Sequence, residues 1–138
     1  MTLLLIDLFD PITSMKLLCM AFLGILFTQS GLDKVFNYQG NYEWIKSHFA
    51  KSPLKNTVGL LMPTITILEA AAGIISLAGI ILYFMDGSTQ IGLIGAQLSA
   101  LSILALFFGQ RLAQDYEGAA NLVHYFIISV MSIYILGL

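Results

Sequence analysis

The run TVGLLMPTITILEAAAGIISLAGIILYF, residues 57–84, decides the fold of this chain. Glu69 is its one charged side chain, and the rest of the run is mostly apolar. A helix crosses the roughly 30 Å hydrocarbon core of a bilayer with about 20 mostly apolar residues. The run is longer than that, so it predicts a transmembrane helix.

Three further apolar runs lie at residues 15–36, 88–110 and 118–138. The four runs fill nearly all of the 138 residues and leave no room for a soluble domain. We therefore predict an all-α fold, an integral membrane bundle of four transmembrane helices that forms one domain over residues 1–138. Residues 1–9 lack the basic region of a secretory signal, and they predict a short apolar arm on the membrane surface.

The composition supports this class and excludes others. Hydrophobic residues make up 58% of the chain and charged residues 10%, whereas a typical soluble domain carries about 25% charged residues. The net charge of −2 offers no basic footprint, so we expect membrane lipids as partners and no nucleic acid. The single cysteine, Cys19, excludes an intrachain disulfide, and His124 is the one histidine in a predicted span. We therefore expect no covalent cofactor, no bis-histidine haem and no bound metal.

Four crossings divide the loops between two sides of the membrane. Side A holds both termini and the turn at residues 86–87, and side B holds the other two loops. Five of the six basic residues lie on side B, which the positive-inside rule places in the cytoplasm. The first side-B loop predicts a short amphipathic helix at residues 42–51, lying in the interface as an anchor with Trp44 at headgroup level.

Glu69 is the strongest anomaly, because an ionised carboxylate deep in a span costs on the order of 3 kcal/mol. It can remain protonated, pair with a cation or face a wet cavity. Thr66, Glu69, Gly73 and Ser76 share one helical face, so we expect Glu69 to point into the bundle. Its role is either proton exchange or hydrogen bonding at a binding cavity, which the intramembrane setting favours, or a structural interhelical hydrogen bond.

Further polar candidates lie near side B. Asn121 and His124 fall early in the fourth span, at a spacing that lets them face one way with Glu117. Each candidate also has an ordinary interpretation, as a hydrogen bond between helices, a solvated loop charge or, for Lys34, a snorkelling lysine. The charged residues at the helix ends are Asp33, Lys34, Arg111, Asp115 and Glu117.

Small residues predict where the helices touch, because helices in lipid associate through close packing. Gly92, Ala96 and Ala100 repeat every fourth residue on the third span. Gly73 and Ser76 lie on the second span. We expect these faces to turn inward or towards another protein.

Two short motifs have a recognisable order and spacing. GLDKVF closes the first span at residues 31–36, and LEAAAG at residues 68–73 is followed by LAG at residues 77–79. With the lengths of the four spans, they resemble the DoxX family of small four-helix membrane proteins over about residues 15–138. The resemblance implies a multi-pass protein of the bacterial inner membrane with cytoplasmic termini, the orientation opposite to that from the charge rule. It also implies Asp33, Lys34 and Glu69 as shared polar positions with no agreed catalytic role.

Some members of that family are small subunits of thiosulfate:quinone oxidoreductase, and others are linked to membrane redox complexes or oxidative-stress assemblies. The resemblance therefore implies an anchor or accessory subunit of a larger, redox-linked complex that is not catalytic alone. A first alternative is a quinone-interacting subunit, in which Glu69 and His124 exchange protons with quinol while Lys34 or Arg111 stabilises the charge formed. A second alternative is a small carrier or pore.

Overall fold

A computed structural model of the chain describes residues 5–138 as helices joined by short turns. No strand occurs among these residues, so the all-α prediction is confirmed. Residues 1–4 of the predicted arm lie outside the described part. After a 3-10 turn (Leu5–Phe9), the helices are α1 (Pro11–Phe36), α2 (Tyr38–His48), α3 (Val58–Asp86), α4 (Gln90–Leu112), α5 (Tyr116–Ala120) and α6 (Val123–Leu136).

Four helical stretches are long and apolar enough to cross a membrane: α1, α3, α4 and the α5–α6 stretch Tyr116–Leu136. The outer surface fits this assignment. Leu18, Ile67 and Ile81 are each more than 60% exposed, and many other large apolar side chains face outward. A soluble monomer rarely exposes so large an apolar surface. The chain is a multi-pass membrane protein, and lipid covers these side chains.

α1 begins at Pro11, earlier than the predicted residue 15. Asp10 is its N-cap, and the side-chain oxygen Oδ2 accepts a hydrogen bond from the Thr13 backbone N–H at 3.1 Å. Proline suits the first turn of a helix, where no backbone partner for its nitrogen is needed. The Asp10–Pro11 pair therefore starts the first span.

α2 begins at Tyr38, directly after α1, rather than at residue 42, and it ends at His48. Asn41 lies within α2, and its side chain donates a hydrogen bond to the Asn37 backbone oxygen at 2.8 Å. Ile45 and His48 are half-buried against the bundle, whereas the polar side chains of α2 point outward. The predicted short helix between the first two spans is present, shifted towards the N-terminus.

The fourth span is interrupted, which the sequence did not predict. The backbone N–H of Leu122 bonds to the carbonyl oxygen of Ala119, three residues earlier, at 3.1 Å. This shorter repeat separates α5 from α6 at residues 121–122. The Asn121 backbone N–H still bonds to the Glu117 carbonyl oxygen at 3.1 Å, and Glu117, Asn121 and His124 are all exposed, so their common face stays a prediction.

Small residues lie where the membrane helices meet. A Cβ atom on Gly79 would lie 2.6 Å from the Gly92 backbone, and one on Gly95 would lie 2.9 Å from the Ser76 backbone, so α3 and α4 touch closely. Of the remaining predicted packing residues, Gly73 and Ala96 are buried and Ala100 is half-buried. Around these contacts lies an apolar core that includes Met20, Leu23, Phe27, Ile103 and Leu136.

Candidate functional site

α3 carries Glu69 on its inward face. Glu69 is only 3% exposed, and Thr66, Gly73 and Ser76 are buried beside it. Helical geometry accounts for this arrangement, because residues three, four and seven positions apart lie on the same side of a helix. The acid is therefore surrounded by protein and not by lipid.

Lys34 of α1 is the partner of Glu69. Its Nζ atom lies 2.8 Å from Oε2 of Glu69, and the lysine side chain is 16% exposed. The contact is an ion pair. Lys34 thus turns into the bundle, so the snorkelling interpretation of Lys34 is wrong. Of the three arrangements open to Glu69, the structure contains the one with a paired cation.

Two glycines allow these charges to meet. A Cβ atom on Gly31 would lie 2.8 Å from the α3 backbone, and one on Gly73 would lie 2.7 Å from the backbone of Phe27 in α1. No side chain fits there, so α1 and α3 touch backbone to backbone. Lys34 lies one turn after Gly31, and Glu69 lies one turn before Gly73. The close approach of the helices therefore holds the two charged groups together.

The ion pair has a structural consequence of its own. Removing one member of a buried pair leaves an uncompensated charge, which is strongly destabilising. In the hydrocarbon region water does not reach such a charge easily. Lys34 and Glu69 therefore depend on each other to remain buried between α1 and α3, and we name this ion pair the clamp. A role for Glu69 in proton exchange would require the ion pair to open.

Asp33 has different surroundings from Lys34. Successive residues of a helix are rotated by about 100°, so Asp33 points outward when Lys34 points inward. Its exposed carboxylate accepts a long hydrogen bond from Nδ2 of Asn41, at 3.4 Å. No ion pair of Asp33 occurs within residues 5–138. The two charges of the 31–36 motif are therefore separated, one within the bundle and one on its surface.

A polar cluster on side B fastens α2 to the end of α4. His48 Nε2 lies 2.6 Å from Oε1 of Gln110 and 3.5 Å from Oδ2 of Asp115. The imidazole ring stacks on Trp44, with ring centroids 4.7 Å apart. Sequence reasoning missed His48 and Gln110 as a pair, because they lie 62 positions apart and nothing in the sequence indicates their contact.

The remaining charged and polar candidates near side B lie away from Glu69. The Arg111 guanidinium lies over the ring of Tyr116, 4.4 Å from its centroid. Asn121, His124 and Glu117 are exposed on the outside of the bundle. The structure therefore does not bring His124 or Arg111 together with Glu69 as one site.

A cavity of about 260 Å³ lies on side B between α2, α3 and α4. Its walls are mostly apolar, and His48 and Gln110 are among the few polar groups that line it. The volume is close to the lower end of the range of roughly 300–1,000 Å³ for small-molecule sites. Neither Glu69 nor His124 lines it. Trp44, Phe49, Met62, Leu68 and Phe108 are among the lining residues.

Two glutamines that sequence reasoning missed lie on lipid-facing surfaces. Gln29 of α1 and Gln97 of α4 are exposed, and neither side chain makes a hydrogen bond within the described part of the chain. Gln97 shares the outer face of α4 with Ile94 and Leu101. The exposure of Gln97 could have been predicted from the sequence, because helical spacing places it away from the small-residue face of α4.

Metal-binding groups are a separate question. Over residues 5–138, no three side chains of His, Cys, Asp or Glu gather closely enough to hold a metal ion. The expectation of no bound metal and of quinone as the one possible cofactor stays a prediction.

Comparison of the chain with protein-family models, with curated proteins and with solved structures finds no match.

Proposed function

We propose that this protein is a small DoxX-like subunit of a larger, redox-linked complex of the bacterial inner membrane, where it anchors or supports other subunits. The observation that carries the proposal is Gln97, whose amide faces lipid within a membrane-crossing helix. Lipid chains offer no hydrogen bonds, so polar side chains within spans normally face protein. A neighbouring subunit would supply the partner that the described chain lacks.

The paired interior supports the same proposal. Glu69 is held by Lys34, and the hydroxyls of Ser99, Ser102 and Ser129 bond to carbonyl oxygens of their own helices at 2.7–2.8 Å. These groups stabilise the bundle and are engaged in doing so. Within residues 5–138 the Ser76 hydroxyl is buried without a hydrogen-bond partner, whereas the amides of Gln29 and Gln97 lie on the outside, where an intermolecular contact can reach them.

Extraction in a mild detergent, followed by native sizing and mass spectrometry, tests the proposal. We expect an assembly much larger than the 15.1 kDa chain, with co-purifying subunits in fixed ratio. Gln97→Leu should weaken co-purification about three- to tenfold, whereas Ile94→Leu on the same face should not. Migration as a lone chain would contradict the proposal. A complex without any redox-active subunit would contradict the redox link.

The side-B cavity favours a second candidate function, the binding of a lipid-soluble quinone. Its apolar walls suit an isoprenoid tail, and its volume suits a single quinone ring. We expect a short-chain ubiquinone analogue to quench the fluorescence of Trp44 saturably. Leu68→Phe, which fills the cavity, should abolish saturation, and Ile67→Phe on the lipid side of α3 should preserve it. Quenching that rises linearly in all three proteins would contradict a quinone site here.

The quinone hypothesis built on Glu69 has its own test. If Glu69 exchanges protons with quinol, Glu69→Gln should abolish quinone-dependent turnover of the complex while the assembly remains intact. Normal turnover in that variant would remove Glu69 from the mechanism. The carrier or pore hypothesis stays a prediction, and flux in proteoliposomes tests it.

A further inference from the structure

The outward face of α1 carries two polar side chains, Gln29 and Asp33, which we name the α1 polar face. The neighbouring Thr28 hydroxyl is buried against Gly73 of α3 and belongs to the contact between the two helices. The Gln29 amide is exposed and makes no hydrogen bond within residues 5–138. The Asp33 carboxylate has only the long contact with Asn41. Both exposed side chains therefore have bonding capacity that the described chain does not use.

This face lies within the membrane-crossing part of α1. Gln29 is seven residues from the end of the helix at Phe36, which places it about 10 Å inside that end. Water is scarce at such a depth, and lipid chains cannot replace it. Polar side chains in this position normally pair with protein groups.

A groove open to lipid runs along the α1 polar face. It is lined over residues 24–36 of α1 and by Leu77 of α3. Thirteen residues of helix extend for about 18 Å, which is more than three turns. A groove of this length matches a helix lying alongside α1, and it offers polar atoms over more than one turn.

Charge indicates which kind of helix fits. Lys34, the basic neighbour of Asp33, is engaged by Glu69 inside the bundle. The group of Asp33, Lys34 and Glu69 carries a formal charge of one negative unit, and the uncompensated carboxylate is the outward one. A neighbour that supplies a cation would neutralise it at the membrane-facing surface.

We propose that the α1 polar face binds a transmembrane helix of a partner subunit and that this helix carries a lysine or arginine at the depth of Asp33. The inference rests on the proposed function as a complex subunit and names the chemistry of the contact. The cation pairs with the Asp33 carboxylate. Gln29, one turn away, adds a hydrogen bond to the same helix.

Synthetic transmembrane peptides test this directly with the full-length protein in phosphatidylcholine vesicles. Three leucine–alanine peptides carry an acceptor dye for Trp44, the single tryptophan, and differ in one residue near the side-B end: lysine, leucine or glutamate. We expect the lysine peptide to bind about tenfold more tightly than the leucine peptide, and the glutamate peptide no better than leucine. Asp33→Asn should remove the preference for lysine. Glu117→Gln, which neutralises another exposed acid, should retain it.

Equal binding of the three peptides overturns the proposal, and so does a lysine preference that survives in Asp33→Asn. Displacement of the lysine peptide by unlabelled copies of the protein also overturns it, because the face would then bind a second copy. The peptide assay requires no native partner, so it is independent of the native sizing experiment. A large native complex without lysine preference refutes this inference alone. A lone native chain with lysine preference refutes the complex and leaves a face that binds cationic helices.

Discussion

Replacement of Lys34 by methionine should destabilise the bundle severely. Methionine keeps the length and the apolar stem of the side chain but removes the charge that faces Glu69. The carboxylate would then be buried at 3% exposure without a cation. Its nearest opposite charge, now 2.8 Å away, would be lost.

The magnitude follows from the geometry of the pair. Two unit charges at 2.8 Å attract by about 6 kcal/mol at an effective dielectric constant of about 20. Desolvation of both groups offsets much of this attraction, so the net contribution of the intact pair is small. Loss of one member leaves the desolvation of the other uncompensated. We therefore expect Lys34→Met to lower the free energy of unfolding by about 3–5 kcal/mol.

A double-mutant cycle separates this effect from a general loss of packing. Replacing both charges, as in Lys34→Met with Glu69→Leu, should restore the free energy of unfolding to within about 1 kcal/mol of the original. Lys16→Met is the matched control at the other end of α1. Its ammonium lies over the Tyr83 ring, 5.9 Å from the centroid, and it forms no ion pair within residues 5–138. Its loss should cost about 1 kcal/mol or less.

Reversible unfolding in mixed micelles, titrated with dodecyl sulfate and followed by far-ultraviolet circular dichroism, measures these free energies. The ion pair predicts a strong energetic coupling between positions 34 and 69. The losses of unfolding free energy in Lys34→Met and in Glu69→Leu are summed and compared with the loss in the double variant. If the two values agree within about 0.5 kcal/mol, the two side chains do not interact and the clamp is refuted. If the double variant is less stable than Lys34→Met alone, the uncompensated charge is not the cause of the loss.

Three further changes test other contacts. Gly31→Ala should destabilise the α1–α3 contact by about 1–3 kcal/mol, whereas Gly59→Ala, whose Cβ meets nothing closer than 3.8 Å, should be neutral or stabilising in the same titration. His48→Ala should detach α2 and move the emission of Trp44 to longer wavelength, and an unchanged spectrum would argue against the contact with α4. Asp115→Ala removes the N-cap of α5 and should cost about 1 kcal/mol, with faster amide exchange in the first turn, whereas Asp115→Asn should cost much less.

The transmembrane spans and the burial of Glu69 could be predicted from the sequence for simple physical reasons. The thickness of the hydrocarbon core fixes the length of an apolar run that crosses it, so the run at residues 57–84 is unambiguous. The 3.6-residue repeat places Glu69 on the same face as Gly73 and Ser76, and small residues mark the side where helices touch. Both inferences use only local geometry.

The identity of Lys34 as the partner of Glu69 could not be predicted from the sequence in the same way. Lys34 lies on a different helix, and its position opposite Glu69 depends on how α1 is rotated and how far it is shifted along α3. The backbone contact at Gly31 sets both quantities. A partial signal existed, because a glycine lies one turn from each charge and indicates that the helices approach closely there.

The interruption of the fourth span had no comparable signal. Neither Asn121 nor Leu122 is a strong helix breaker, and both keep right-handed helical dihedral angles. The change is a switch to a hydrogen bond that spans three residues, which depends on how α5 packs against α4. His124 follows this switch and is exposed, and its role stays a prediction.

The adjacent charges of the 31–36 motif show how one sequence feature can serve two purposes. Helical rotation forces Asp33 and Lys34 onto different sides of α1, so only one of them can enter the bundle. Lys34 enters and pairs with Glu69 at the contact between α1 and α3. Asp33 is thereby left with an uncompensated charge on the surface. A proton-exchanging role for Glu69 requires the internal clamp to open, whereas a docking role for Asp33 requires no change in the fold. Of the two acids, Asp33 is therefore the one that the geometry leaves available for contact with another molecule.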